Sequence, residues 1–154
     1  MNTERLVNTF KQMVRIDSPT GKEKGMADWL LNHFESRGIT ADTDGVGNVF
    51  ARIPGKGRPI LLAAHMDTVM PGEGIVPVVV DDDGDTIRSS GQTILGADNK
   101  STIAVFLEVI DSLKENRIPH RGVELLFTVD EEGKSKGAAQ FDSRKKVSAK
   151  TGRK

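Results

Sequence analysis

Apolar residues along this chain recur with two periods, and the change from one to the other outlines the fold. From Glu4 to Ile16, the residues Leu6, Phe10, Met13 and Val14 fall at helical spacing. The run halts at Asp17-Ser18-Pro19-Thr20-Gly21, because the residue before a proline avoids the helical region. A second helix is predicted from about Lys22, with Met26, Trp29, Leu30 and Phe34 on one stripe and Gly38 closing it at C′. Ile39–Thr43 and Asn48–Ile53 read as short strands joined by the turn Asp44-Gly45-Val46-Gly47, a hairpin feeding a central strand. That strand is PILLAAHMDTV, residues 59–69. Its segment Ile60–Ala64 is apolar without alternation, the pattern of a strand covered on both faces in a parallel or mixed sheet, and it stops at His65.

Beyond it, Ile75–Val80 and Thr86–Arg88 are β runs around Asp81-Asp82-Asp83-Gly84-Asp85. A calcium loop with Gly84 at its sixth position would put Val79 first and Ser90 twelfth, neither a carboxylate, so the cluster reads as an Asp-Gly turn. Asp98 then opens a helix with Ile103, Phe106, Leu107, Ile110 and Leu113 on one face, ending near Lys114–Asn116 ahead of Pro119. Val123, Leu125, Phe127 and Val129 mark a buried strand that runs into Glu131-Glu132-Gly133. This order of helices and strands predicts an α/β fold, a mixed central sheet flanked by helices. At 154 residues the chain suits one domain.

Composition narrows the chemistry. With no cysteine there is neither a disulfide framework nor a thiolate ligand, so any metal must be held by imidazole and carboxylate. Formal net charge is zero, yet the last twelve residues, SRKKVSAKTGRK, hold six Lys or Arg and no acid. Residues 1–142 are therefore acidic, with 16 basic against 22 acidic groups. A nucleic-acid surface needs a basic stripe interleaved with aromatics; here aromatics are 5% and the basic cluster is a terminal tail, which argues against nucleic acid. No apolar run approaches the ~20 residues that span a bilayer, and the amphipathic N-terminus is unlike a signal peptide, so neither a membrane nor export is expected and the location is read as cytoplasmic.

Three separate segments end an apolar or helical element in polar groups. His65 and Asp67 close the strand, and as residues two apart in an extended segment they share a side. The carboxyl ends of such strands are where open α/β sheets place ligands. Asp98 heads the long helix, where it reads either as an N-cap or as a ligand. Glu131 and Glu132 reach one pocket only if the strand has turned into a loop, which Gly133 eases, and otherwise form a solvated acidic loop. Like charges brought to ~4 Å repel by about 4 kcal/mol per pair at intermediate dielectric, and divalent cations remove that penalty. Imidazole with carboxylates suits zinc, and also manganese or cobalt. His33 beside its helix stripe and His120 in a loop lack ligand spacing and are assigned no part. Pro54–Pro59 lacks the P-loop order of glycines, Lys and Ser/Thr before a helix, and is read as a plain loop.

The ordered trio HMDTV, GADNK and the Glu-Glu pair resembles the co-catalytic zinc peptidase family of tripeptidases, carboxypeptidases, aminoacylases and acetylornithine deacetylases. Within it, HMDTVMPGEGIVPVV and TILGADNKSTIAVFLEVI look most like the peptidase T (tripeptide aminopeptidase) branch, and the likeness runs over residues 4–142 with IDSPTGKE. The resemblance implies a zinc-exopeptidase-like catalytic domain hydrolysing amide bonds of small peptides with two divalent ions. By it, His65 binds one metal, Asp98 bridges both, Glu132 binds the second and Glu131 is the general base. Asp67 would hydrogen-bond the other nitrogen of His65 and fix its orientation. It also implies a homodimer for the full-length form.

Two departures bear on activity. Lys134 stands where the family has a glycine, which predicts a differently shaped loop, with Gly137-Ala138 back in register. Family members are also longer, with a further carboxylate ligand after the Glu pair, a late His ligand, and a lid or dimerisation domain between. The expectation is that residues 1–142 are the N-terminal part of such a domain, inactive alone, followed by a disordered basic tail at 143–154. The alternatives are a deacylase or carboxypeptidase of the same family, or a non-catalytic metal- or partner-binding module on the same scaffold.

Overall fold

The computed structural model describes residues 1–80 and 86–143. The acidic turn at 81–85 and the basic tail from 144 onward lie outside the described residues.

Helix α1 (Thr3–Val14) starts where the Asn2 side chain accepts the N–H of Arg5 at 3.0 Å, and it buries Phe10, Met13 and Val14. Helix α2 (Lys24–Glu35) buries Met26, Ala27, Leu30 and Phe34. Its end is a Schellman closure: Ile39 N–H bonds the Phe34 carbonyl at 3.0 Å and Gly38 N–H that of Glu35 at 2.9 Å. Gly38 at φ +65 supplies the left-handed residue this closure needs, as the sequence predicts.

Strands β1 (Thr40–Thr43) and β2 (Val49–Ile53) form the expected antiparallel hairpin. One carboxylate oxygen of Asp44 caps its turn by accepting the N–H groups of Val46, Gly47 and Asn48. Strand β3 (Ile60–His65) leads to a small antiparallel pair, β4 (Pro77–Val80) with β5 (Thr86–Ser89), then to α3 (Ala97–Glu115), β6 (Val123–Thr128) and the short α4 (Lys136–Gln140).

The main sheet runs β1-β2-β6-β3, with β3 parallel to β6 and the other pairs antiparallel. This is the mixed α/β architecture the periodicity predicts. The place of β3 differs from expectation. It is an edge strand, not a central one, and Ile60 and Leu61 are exposed among the described residues. The hairpin joins β6 instead of β3. All six residues of β6 are buried, including Glu124 and Thr128, so the more polar of the two segments takes the centre.

Alternation along β6 divides the packing. Phe127 meets Phe34 of α2 in a stacked pair with centroids 6.0 Å apart, while Leu126 faces the other way with its register partner Phe50, which packs on Phe141. Helix α3, in the β3-to-β6 crossover, lies against α1 and β3. The crossover sets the carboxyl ends of β3 and β6 side by side, with His65 opposite Thr128.

Candidate metal centre

The ends of β3 and β6 and the start of α3 converge on one cluster. One ligand atom each from His65, Asp98 and Glu132 lie within 4.8 Å of one another. His65 is buried, whereas the Asp98 side chain is 80% exposed, so the cluster opens to solvent from a firm floor.

His65 is oriented by local backbone. Its Nδ1 lies 3.0 Å from the Asp67 carbonyl oxygen and 3.4 Å from Asp67 Oδ1, both acceptors, an arrangement that suits a proton on Nδ1. Nε2 faces Asp98 Oδ1 at 3.1 Å, with Glu131 Oε2 at 3.9 Å. A ring nitrogen and a carboxylate oxygen at that distance share either a proton or a cation. The donor set of one imidazole and two carboxylates suits a divalent ion of the zinc, manganese or cobalt kind.

The Asp98 carboxylate faces His65, while its backbone (φ −84, ψ 110) and that of Asn99 depart from helical angles. Regular helix begins at Lys100, which is fully buried and donates to the Ile16 carbonyl at 2.7 Å. Burial lowers this ammonium to about 8. The bond ties the head of α3 to the segment preceding Ser18.

The Glu-Glu pair sits in a turn that β6 enters through Asp130 at φ +57. Three consecutive amides of this turn are received by carboxylates. Asp130 N–H goes to Glu23 Oε1 (3.0 Å), Glu131 N–H to Asp67 Oδ1 (3.0 Å) and Glu132 N–H to Asp67 Oδ2 (2.9 Å). Thr20 donates its hydroxyl to Asp67 Oδ2 at 3.0 Å. Asp67 is completely buried, so these donors offset the cost of its charge. Asn48 holds the far side of the loop: its Oδ1 accepts Val129 N–H at 3.1 Å and its Nδ2 donates to the Gly137 carbonyl at 2.9 Å. A Cβ on Gly137 would lie 2.4 Å from Asn48 Oδ1, so this place admits only glycine without rearrangement.

All five sequence candidates, His65, Asp67, Asp98, Glu131 and Glu132, thus lie together, while His33 and His120 stand apart. His33 stacks beside Trp29 on α2, and His120 Nδ1 accepts Gly122 N–H in a loop. Sequence reasoning missed Thr20, Glu23 and Asn48. Thr20 falls in the stretch read as a turn and Glu23 in the start of the helix read from about Lys22, and neither reading points to a site. Ser18 completes this segment, its hydroxyl donating to the Met66 carbonyl at 2.8 Å and its own carbonyl accepting Thr68 N–H at 3.0 Å.

The mixed sheet thus presents imidazole and carboxylates at the ends of neighbouring parallel strands, a donor set able to hold a divalent metal ion. Residues 61–151 match the sequence profile of peptidase family M20/M25/M40, and the chain belongs to that family. The fold superposes on the aminopeptidase PepT of Bacillus cereus with a TM-score of 0.89 at 37% identity, covering 94% of this chain and 41% of that one. A tripeptidase of Staphylococcus aureus gives 0.86 at 35% identity, with the same two coverages. A putative LysW-lysine/LysW-ornithine hydrolase of Pyrococcus furiosus is 40% identical over 142 residues, 92% of this chain and 39% of that protein. The chain thus spans about two-fifths of the length of these relatives. Among the described residues no helix is long and apolar enough to cross a membrane.

Proposed function

We propose that this chain carries the amide-hydrolysing end of a two-metal exopeptidase acting on short peptides, as a tripeptide aminopeptidase does. The observation that carries the reading is the convergence of His65 Nε2, Asp98 and Glu132 with Glu131 beside them. In this reading His65 would hold one ion, Glu132 the other, and Asp98 would serve both. Two divalent ions held there, zinc first with manganese or cobalt as alternatives, would supply Lewis-acid polarisation of the scissile carbonyl and acidify water. Glu131 takes the proton from the attacking water and returns it to the leaving amine. Asp67 and Thr20 keep the Glu131–Glu132 turn in place while that proton moves.

The Pyrococcus relative, named as a putative hydrolase of LysW-lysine and LysW-ornithine, is as similar as the peptidases are. That similarity supports a second reading within the same chemistry, release of a lysine or ornithine held by an amide bond.

The test is a chimaera of residues 1–142 with the remaining part of the Bacillus cereus aminopeptidase. Chelator-sensitive cleavage of tripeptides is expected, abolished in Glu131→Gln with metal content unchanged. Release of amide-linked lysine with no tripeptide cleavage would select the second reading. Metal uptake without any hydrolysis would mark a non-catalytic module, and failure to take up metal would overturn both readings.

A further inference from the structure

The loop that carries Glu131 and Glu132 reaches back to a residue with no place in the roles above. Glu23 is 6% exposed although it stands at the N-cap position of α2. Its side chain makes no capping bond there. Oε1 accepts Gly21 N–H at 2.9 Å and, across the molecule, Asp130 N–H at 3.0 Å. Asp130 is the left-handed residue on which β6 turns, a conformation that glycine, and occasionally Asn or Asp, adopts. The neighbouring amides, those of Glu131 and Glu132, are both received by Asp67.

We infer that Glu23 is a positioning residue, holding the Glu131–Glu132 turn in its metal-ready conformation through the backbone of Asp130. Three successive amides are pinned by two buried carboxylates from different elements. The exposed side chains of Glu131 and Glu132 therefore converge because their backbone cannot swing. Packing brings the same two segments together: a Cβ on Gly133 would lie 3.0 Å from Thr20 Cγ2, so the turn is seated against Thr20. Without the Glu23 acceptor, the left-handed residue loses its tether and Glu132 drifts from His65 and Asp98. The geometry stands by itself; its consequence for metal rests on the reading proposed above.

The experiment compares the chain with Glu23→Ala and Glu23→Gln by amide hydrogen exchange without metal and by Co²⁺ titration. Glutamine keeps the carbonyl oxygen that receives both N–H groups. In Glu23→Ala, exchange at Asp130 should rise at least ~10-fold while the β2 amides stay unchanged, and Co²⁺ affinity should fall about 10-fold, the scale of outer-shell changes. Glu23→Gln should restore both to within about 2-fold. Unchanged exchange at Asp130 in Glu23→Ala, equal damage in both variants, or loosening that spreads through β2 overturns the inference. Should Glu23→Ala fail to fold, the wild type decides with Glu23→Gln: an Asp130 amide unprotected in the wild type overturns it as well. A wild-type chain that takes no Co²⁺, with the Asp130 amide freed in Glu23→Ala, removes the metal reading and leaves the positioning role. Tight Co²⁺ binding unchanged in Glu23→Ala does the reverse.

Discussion

The carboxylate of Asp67 receives the backbone N–H of Glu132 at 2.9 Å through Oδ2, while Oδ1 receives that of Glu131. Its distance to the His65 imidazole is longer, 3.4 Å, and the Asp67 carbonyl is the nearer partner of Nδ1. One buried side chain thereby ties the end of β3 to the turn after β6. Asp67→Asn turns one acceptor into a donor facing an N–H, which expels either the Glu131 or the Glu132 amide. Co²⁺ affinity is predicted to drop on the order of 10–100-fold, with the fold retained. Titration at wild-type affinity would show that the turn does not depend on this carboxylate.

His65→Ala should do more. It removes the sole imidazole of the cluster and leaves Asp98, Glu131 and Glu132 as neighbouring anions. Metal stoichiometry after dialysis against Zn²⁺ is predicted to fall to background. Stoichiometric zinc in the variant would take His65 out of the site.

The 154-residue chain by itself is predicted to cleave no tripeptide at a detectable rate in Zn²⁺. Catalytic zinc sites use about three protein ligands for each ion, and three residues here would be shared between two. Chelator-sensitive cleavage lost in Glu131→Gln would mean that ligands arrive from elsewhere, a second copy being the obvious source.

Stability at low pH should decline in two overlapping windows. Burial pushes His33 from 6.5 down to about 4, so the unfolded chain binds a proton in this range that the folded chain refuses, and stability falls as pH drops through it. Arg5 holds Glu108 from 4.5 down to about 2, so a second loss follows over that interval. Denaturant titrations at stepped pH should show both slopes. His33→Gln should erase the first and leave the second.

Arg5 matters more for Glu108 than for its other partners. The Glu108 side chain is 1% exposed, with Arg5 Nε at 2.7 Å, whereas Glu115, also paired with Arg5, is half exposed. Arg5→Met strands a buried carboxylate and is predicted to cost about 3–5 kcal/mol in chemical denaturation. A loss no greater than that of Glu115→Gln would show that Ser112 and the Asn2 amide suffice for Glu108.

Periodicity alone determined the helices α1, α2 and α3, the β1–β2 hairpin, the strand that ends at His65 and the strand that leads into the Glu131–Glu132 turn. These follow from side-chain spacing and local turn chemistry, such as the left-handed glycine after α2, and local rules need no partner to operate. The three polar clusters were legible for the same reason, since each interrupts an apolar pattern. Which strand lies at the centre was decided only by tertiary structure. Ile60–Ala64 is the more apolar run, yet β6 takes the middle with Glu124 and Thr128 buried, because the crossover through α3 and the pairing with β2 both fall on it. Whether Asp98 faces its own helix or His65 was likewise open, as an N-cap and a ligand are the same residue at the same place in a sequence. The support beneath the site was invisible for a stronger reason. Thr20, Glu23 and Asn48 act on residues 47, 107 and 81 positions away, Thr20 on the Asp67 carboxylate and the other two on backbone amides, which carry no side-chain signature. Only when the strand ends lie side by side do a turn before a helix and a loop after a strand become one structure.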